Sequence, residues 1–192
     1  MTADWKKDLP LIASSKMSPQ HTGLAESVHL SPTDVLDAAK RLYDHGYFIE
    51  DLSVVDTLEG FMVVYHLDHY QNPGRIALRV LLPHDKAEVP SISEIFSGAD
   101  WHERECHDFF GVVFTGHPNL VPLLLPEEST IHPLVKGAEE RKRVAELLTP
   151  GVVEISTPEF DALFSTPDQH PEPKKPLKEK APRKEAASPG EE

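Results

Sequence analysis

Between Ser31 and Gly46 the apolar residues Val35, Leu36, Ala39, Leu42 and Tyr43 recur at three- and four-residue spacing, the pattern of a helix with one buried stripe. Ser31 can cap its start, Pro32 fits the first turn, and Asp34 suits the positive helix end. Gly46 is placed for a left-handed C-terminal cap, so a helix is predicted from Ser31 to about His45. Strands are predicted next, at Tyr47–Asp56, Phe61–Asp68 and Arg75–Leu82. In the third, Ile76, Leu78, Val80 and Leu82 alternate with Arg75, Ala77, Arg79 and Leu81, as in a sheet buried mainly on one face. Turns at Glu59-Gly60 and Asn72-Pro73-Gly74 imply an antiparallel three-stranded meander.

After Pro83 the pattern becomes helical in two short stretches. One opens at Ser91-Ile92-Ser93-Glu94 with capping-box spacing; the other spans about Ala99–Phe110 and stops at Gly111. Residues 112–136 are proline-rich and aperiodic, and an amphipathic helix is predicted over Ala138–Leu148, before Pro150-Gly151. Residues 1–30 are weakly patterned and read as an N-terminal extension, mostly unstructured or extended. From Thr166 to Glu192 six prolines, six Lys/Arg and six Asp/Glu accompany a single large aliphatic residue, Leu177. That composition cannot offset its ordering entropy and predicts a disordered tail. The expected architecture is one domain over residues 31–165, α/β of the α+β type: an N-terminal helix, the meander, short helices and an extended proline-rich segment.

Composition narrows the function classes. The chain has 192 residues, 39% hydrophobic and 27% charged, and nothing approaches the roughly 20-residue apolar span of a bilayer crossing. The N-terminus lacks the apolar core of a secretory signal, which leads us to expect an unexported protein. Lys+Arg 19 against Asp+Glu 32 gives a net charge of −13, disfavouring nucleic acid and anionic lipid surfaces as partners. The tail's charges cancel, so the excess lies in residues 1–165. One cysteine, Cys106, excludes an internal disulfide and a four-thiolate zinc or iron–sulfur site made by this chain alone.

Candidate chemistry concentrates in Trp101-His102-Glu103-Arg104-Glu105-Cys106-His107-Asp108-Phe109-Phe110. On a helix Arg104 and Asp108 are i,i+4 partners, as are Glu103 and His107, while Trp101, Glu105 and Phe109 share a stripe. The run reads either as a solvated face with modest ion pairs or as an anchor in which carboxylates flanking Arg104 fix its guanidinium. His102 and Cys106 at i,i+4, with His107, His117 and His132 elsewhere, leave open a free-standing hydrolase or metalloenzyme built on His102, Cys106 and His107. No nucleotide-binding glycine motif occurs. Gly116-His117-Pro118 reads as a tight turn.

The run Glu103-Arg104-Glu105-Cys106-His107-Asp108-Phe109-Phe110-Gly111, continued by Gly116-His117-Pro118-Asn119-Leu120, resembles the signature of the thirty-kilodalton subunit family of respiratory complex I, the proton-pumping NADH:quinone oxidoreductase. Leu123-Leu124-Leu125-Pro126-Glu127-Glu128 and His132-Pro133-Leu134 resemble the family's next block, so the likeness covers roughly residues 30–136. It implies a peripheral-arm subunit that binds no cofactor itself, with iron–sulfur clusters, NADH and quinone held by partner subunits. The implied partners are the large quinone-site subunit, of the forty-nine-kilodalton type, and a neighbouring iron–sulfur subunit, which would hold the chain on the cytoplasmic side of the cell membrane. A corresponding subunit of an energy-converting membrane-bound hydrogenase is the alternative within the same likeness. The implied interface residues are Glu103, Arg104, Glu105, Asp108, Phe109, Phe110, Gly111, Gly116, His117, Pro118, His132 and Pro133, with no catalytic or metal residue. The sequence departs from the pattern at Val121 and Pro122, usually basic; at Ser129, usually Trp; at Ile131, usually Gly; and at Val135-Lys136-Gly137, usually Arg-Lys-Asp.

Overall fold

The computed structural model describes residues 5–148 and 151–165. In chain order the elements are β1 (Leu11–Lys16), α1 (Pro19–Thr22), β2 (Glu26–Leu30), α2 (Val35–Asp44), β3 (Tyr47–Asp56), β4 (Phe61–His69), β5 (Ile76–Leu82) and β6 (Glu88–Pro90). They continue with α3 (Ala99–Phe110), β7 (Val113–Thr115), α4 (Val144–Leu147), β8 (Val152–Ser156) and α5 (Pro158–Ala162). The α/β class is as the sequence predicts. β3, β4 and β5 form the antiparallel meander, with Val54 opposite Val63 and Val63 opposite Val80. Gly60 makes the first turn; its φ is +157°, and a Cβ there would lie 2.2 Å from the Leu82 carbonyl oxygen, which no side chain can tolerate.

The meander is one half of a six-stranded sheet ordered β3-β4-β5-β2-β1-β8. Residues 1–30, expected mostly unstructured or extended, contribute two of its central strands. β2 runs parallel to β5, with His29 opposite Arg79, and pairs antiparallel with β1. The predicted helix at Ser31 resolves into a 3-10 turn, Pro32–Asp34, followed by α2. α2 buries Val35, Ala38, Ala39 and Leu42 on the sheet, whereas Tyr43, assigned to the buried stripe, is 57% exposed.

Apolar alternation divides the sheet between two cores. Leu52, Val54, Phe61, Val63, Tyr65, Leu67, Leu78 and Val80 face α2 and α3. Met62, Val64 and Ala77 face the other way, packing with Leu24 and Val144. Two helix predictions are corrected. Ser91–Glu94 forms a single turn, with the Ile95 and Phe96 amides on the Ile92 carbonyl. Of Ala138–Leu148 only α4 is helical, because Lys142 bridges to Thr57 and its carbonyl accepts the Leu58 amide at 2.9 Å. That strand-like bridge draws residues 141–143 out of helical geometry. The segment 166–192, expected to be a disordered tail, lies outside the described residues.

Candidate docking site on helix α3

α3 has the predicted boundaries. Gly111 closes it at φ +74°, in the left-handed region, with its amide 2.9 Å from the His107 carbonyl. Ala99, Glu103, Cys106 and Asp108 are its buried residues, so a helix that packs on β3 puts two carboxylates inside.

Glu103 is fully buried. Its Oε2 accepts the Ser91 hydroxyl at 2.5 Å and its Oε1 the Ile92 amide at 2.8 Å, while Ser91 and Ser93 hydroxyls pair at 2.8 Å. Burial pushes its carboxyl up to about 7, against the Ser91 and Ile92 donors and with help from Asp100. The side chain of His117 is likewise buried. Its Nδ1 accepts the Asn119 amide at 3.0 Å, which leaves Nε2 as the ring's donor. Nε2 lies 3.3 Å from Asp100 and 3.8 Å from Glu103 Oε2. Gly116, at φ +81°, and the His117 amide on the Phe114 carbonyl at 3.2 Å make the predicted turn.

The predicted i,i+4 ion pairs do not form. Arg104 donates from Nε to the Val121 carbonyl and from a terminal nitrogen to the Pro122 carbonyl, both at 3.0 Å. Asp108 Oδ2 accepts the amides of Leu123, Leu124 and Leu125 at 2.9, 2.7 and 3.1 Å. Burial raises the Asp108 carboxyl, but the three amides and His107 outweigh it and hold it below the usual carboxylate range. Arg104 thus takes the carbonyls and Asp108 the amides of one continuous stretch that has no strand or helix to satisfy them. Glu103 and His107 also part: His107 Nδ1 meets the Val112 carbonyl at 2.9 Å.

Farther along, His132 Nδ1 lies 2.8 Å from the Asp108 carbonyl and the Leu134 amide donates to the Phe109 carbonyl at 3.1 Å. Both carbonyls belong to the last turn of α3, where helical geometry supplies no donor. A Cβ at Gly111 would stand 2.8 Å from the His132 ring, so the glycine also makes room for this cap. Phe110 meets Phe61 edge-on with centroids 6.2 Å apart. Phe109 is half-buried; Glu105, Pro118 and Pro133 are exposed.

Asp56, unremarked in the sequence, is a further clamp. It is buried, accepts the Lys136 amide at 2.8 Å and His84 Nε2 at 2.8 Å, and faces Arg141 Nε at 2.9 Å. Its signal was an acid in the inward register of β3, after Leu52 and Val54. Held at these points, the segment displays apolar side chains to solvent: Leu124 is 61%, Ile131 68% and Leu134 51% exposed, and Val121 and Val135 are also exposed.

The His102–Cys106 pairing is corrected. The buried Cys106 thiol points to the Leu52 carbonyl at 3.7 Å, whereas His102 turns to Asp51, also at 3.7 Å. Burial, with Glu105, Asp51 and Glu103, pushes the thiol well above its usual range. Among the described residues no three His, Cys, Asp or Glu side chains are placed to hold a metal.

Fold and site define an α/β scaffold domain in which one helix grips an extended apolar segment by its backbone. The chain belongs to the respiratory-chain NADH dehydrogenase 30 Kd subunit family, whose sequence pattern matches residues 28–144. The NADH-quinone oxidoreductase C subunit of Roseiflexus castenholzii is 45% identical over 125 residues, covering 59% of this chain and 72% of that protein. The NADH-quinone oxidoreductase C/D subunit of Psychrobacter arcticus is 33% identical over 149 residues, 70% of this chain but 25% of that protein. A solved structure of the membrane-bound sulfane sulfur reductase, an archaeal respiratory membrane complex, shares the fold: its TM-score is 0.60 at 22% identity, over 74% of this chain and 84% of its own. The family resemblance carried by residues 103–134 is therefore borne out, and the chain is a subunit of an oxidoreductase complex. No described helix is long and apolar enough to cross a membrane.

Proposed function

We propose that the chain is a cofactor-free peripheral-arm subunit of a complex I-like NADH:quinone oxidoreductase, docking on the large quinone-site subunit beside an iron–sulfur subunit. In this role it supports electron transfer to quinone and coupled proton translocation without contributing a reacting group, the clusters, NADH and quinone being bound by its partners. The observation that carries the reading is the grip of Arg104 and Asp108 on residues 121–125, which fixes Val121 and Leu124 outward with Ile131, Leu134 and Val135. Exposed apolar side chains on a segment anchored this firmly suit a desolvated protein contact. The C/D designation of the Psychrobacter relative joins two subunit letters in one protein, which supports a direct neighbour of the large quinone-site type. Association with the cytoplasmic face of the membrane would then come through partners.

The test is purification of the tagged chain from membranes of its source. Copurification of the quinone-site and iron–sulfur subunits is expected to survive molar salt, where exposed ion pairs are screened within roughly 3 Å. Arg104→Ala should lower the yield of assembled complex. Recovery of the chain alone after a salt wash, with the large subunit still on the membrane, would refute the docking picture.

A further inference from the structure

The second face of the sheet holds an arginine without a counter-charge. Arg79 projects from β5 opposite His29 of β2 and Val64 of β4, on the side covered by the C-terminal elements. Its Nε donates to Ser27 Oγ at 3.0 Å. In a chain with 32 acidic residues, no described carboxylate comes within 4.0 Å of its guanidinium. The other described arginines differ. Arg41, Arg75, Arg141 and Arg143 face carboxylates, and Arg104 fills two backbone carbonyls. A largely desolvated cation left this way is costly unless an anion completes it.

Arg79 lines a cavity of about 310 Å³ between the sheet and α5, at the small end of the roughly 300–1,000 Å³ typical of ligand sites. Its polar end is made of donors. Ser27, having accepted from Arg79, keeps its own hydroxyl proton for another acceptor, and Ser15 lies beside it. His29 is 7% exposed, stacks obliquely on Phe160 with centroids 4.6 Å apart, and has no hydrogen-bond partner for Nε2 among the described residues. Burial first, then Arg79, lowers its pKa to about 3, so the ring is neutral and Arg79 supplies the one positive charge. The far end is apolar, walled by Leu148, Val153, Phe160 and Phe164.

We propose that this cavity binds a small amphipathic carboxylate, its headgroup on Arg79 and Ser27 and its hydrocarbon tail between Phe160 and Phe164. One guanidinium matches one carboxylate charge, whereas a phosphate dianion would leave a surplus negative charge among apolar walls. A volume of about 310 Å³ fits a small molecule and is too small for a docked chain.

The test is a titration of the full-length chain with decanoate carrying a 13C-labelled carboxyl group, below its micellar concentration. Saturable binding with a shifted carboxyl resonance is expected, not displaced by equimolar inorganic phosphate. Arg79→Met should weaken binding roughly tenfold or more, as loss of a charge-assisted hydrogen bond implies, and should keep or raise the ligand-free thermal midpoint. Should that variant fold poorly, Phe164→Ala reads the same site from its apolar end and should weaken decanoate more than butyrate. No saturable binding, equal binding by both variants, or displacement by phosphate would overturn the proposal.

Discussion

Replacing Asp108 by Ala removes the acceptor on which three consecutive amides converge. The oxygen takes Leu123, Leu124 and Leu125 at 2.7–3.1 Å, and hydrogen bonds to a charged group contribute about 1.5–3 kcal/mol each, less when they share one atom. A joint loss of about 2–4 kcal/mol in the local opening free energy follows, or about 30- to 700-fold in the opening equilibrium at about 1.4 kcal/mol per tenfold. Because Leu124 is 61% exposed, water can replace the lost acceptor. The damage should therefore stay local, leaving the sheet and its two cores intact. Hydrogen exchange read amide by amide is the assay: Leu123, Leu124 and Leu125 should lose protection by that factor while Val63 and Val80 exchange as in the parent chain. Acid should do the same. The carboxyl is held below its ordinary value when folded, so its contribution is complete above the unfolded pKa of about 4 and fades as pH falls through the folded one. Protection of the three amides within threefold of the parent in a folded Asp108→Ala protein would refute the clamp.

Glu103→Gln should flatten the pH dependence of stability. The folded pKa of about 7 lies above the ordinary 4.5, so the parent's advantage from protonated Glu103 is full below 4.5 and lost as pH rises to 7. The glutamine variant should therefore gain on the parent by about 3 kcal/mol across that window, and parallel urea-unfolding curves at pH 5 and pH 8 would count against a buried, proton-holding Glu103. Gly111→Ala should destabilise by about 1–2 kcal/mol for its left-handed backbone, and by more where the new Cβ meets His132. Thermal melts in a His132→Ala background should recover only the second part, and full recovery or none would contradict the geometry. Cys106 should resist thiol reagents in the native chain and react fully on unfolding, because its thiol is buried and its pKa raised; native reaction at the unfolded rate would show an accessible thiolate.

Elements carrying both a period and a terminator were legible from the chain alone. α3 reads from Ala99 to Phe110 because Gly111 ends it, and the meander reads from apolar runs, alternating in β5, set between turns at Gly60 and Gly74. Elsewhere distant contacts overrode local preference. The capping-box spacing at Ser91 gives no helix because Glu103, twelve residues on, takes the Ser91 hydroxyl and the Ile92 amide. Periodicity over 138–148 yields only α4, since Thr57 and Leu58 engage Lys142 in an extended bridge. β1 and β2 were missed because neither short strand carries strong alternation, and the parallel pairing of β2 with β5 joins residues about fifty apart.

The amino-acid sequence by itself determined the family, through the spacing of Glu103, Arg104, Asp108, Gly116, His117 and Pro118, and the local elements that place them. Tertiary structure alone decided what those side chains hold. On a bare helix Arg104 and Asp108 would pair for about 0.3–0.5 kcal/mol. In the fold residues 121–125 arrive with unpaired carbonyls and amides, which give each charged group stronger, better-aligned partners. The same holds for Arg79, read as the solvent-facing side of a strand. Only the return of the chain over the second face of the sheet partly covers it, because burial depends on what packs above a residue as well as on its place in the alternation.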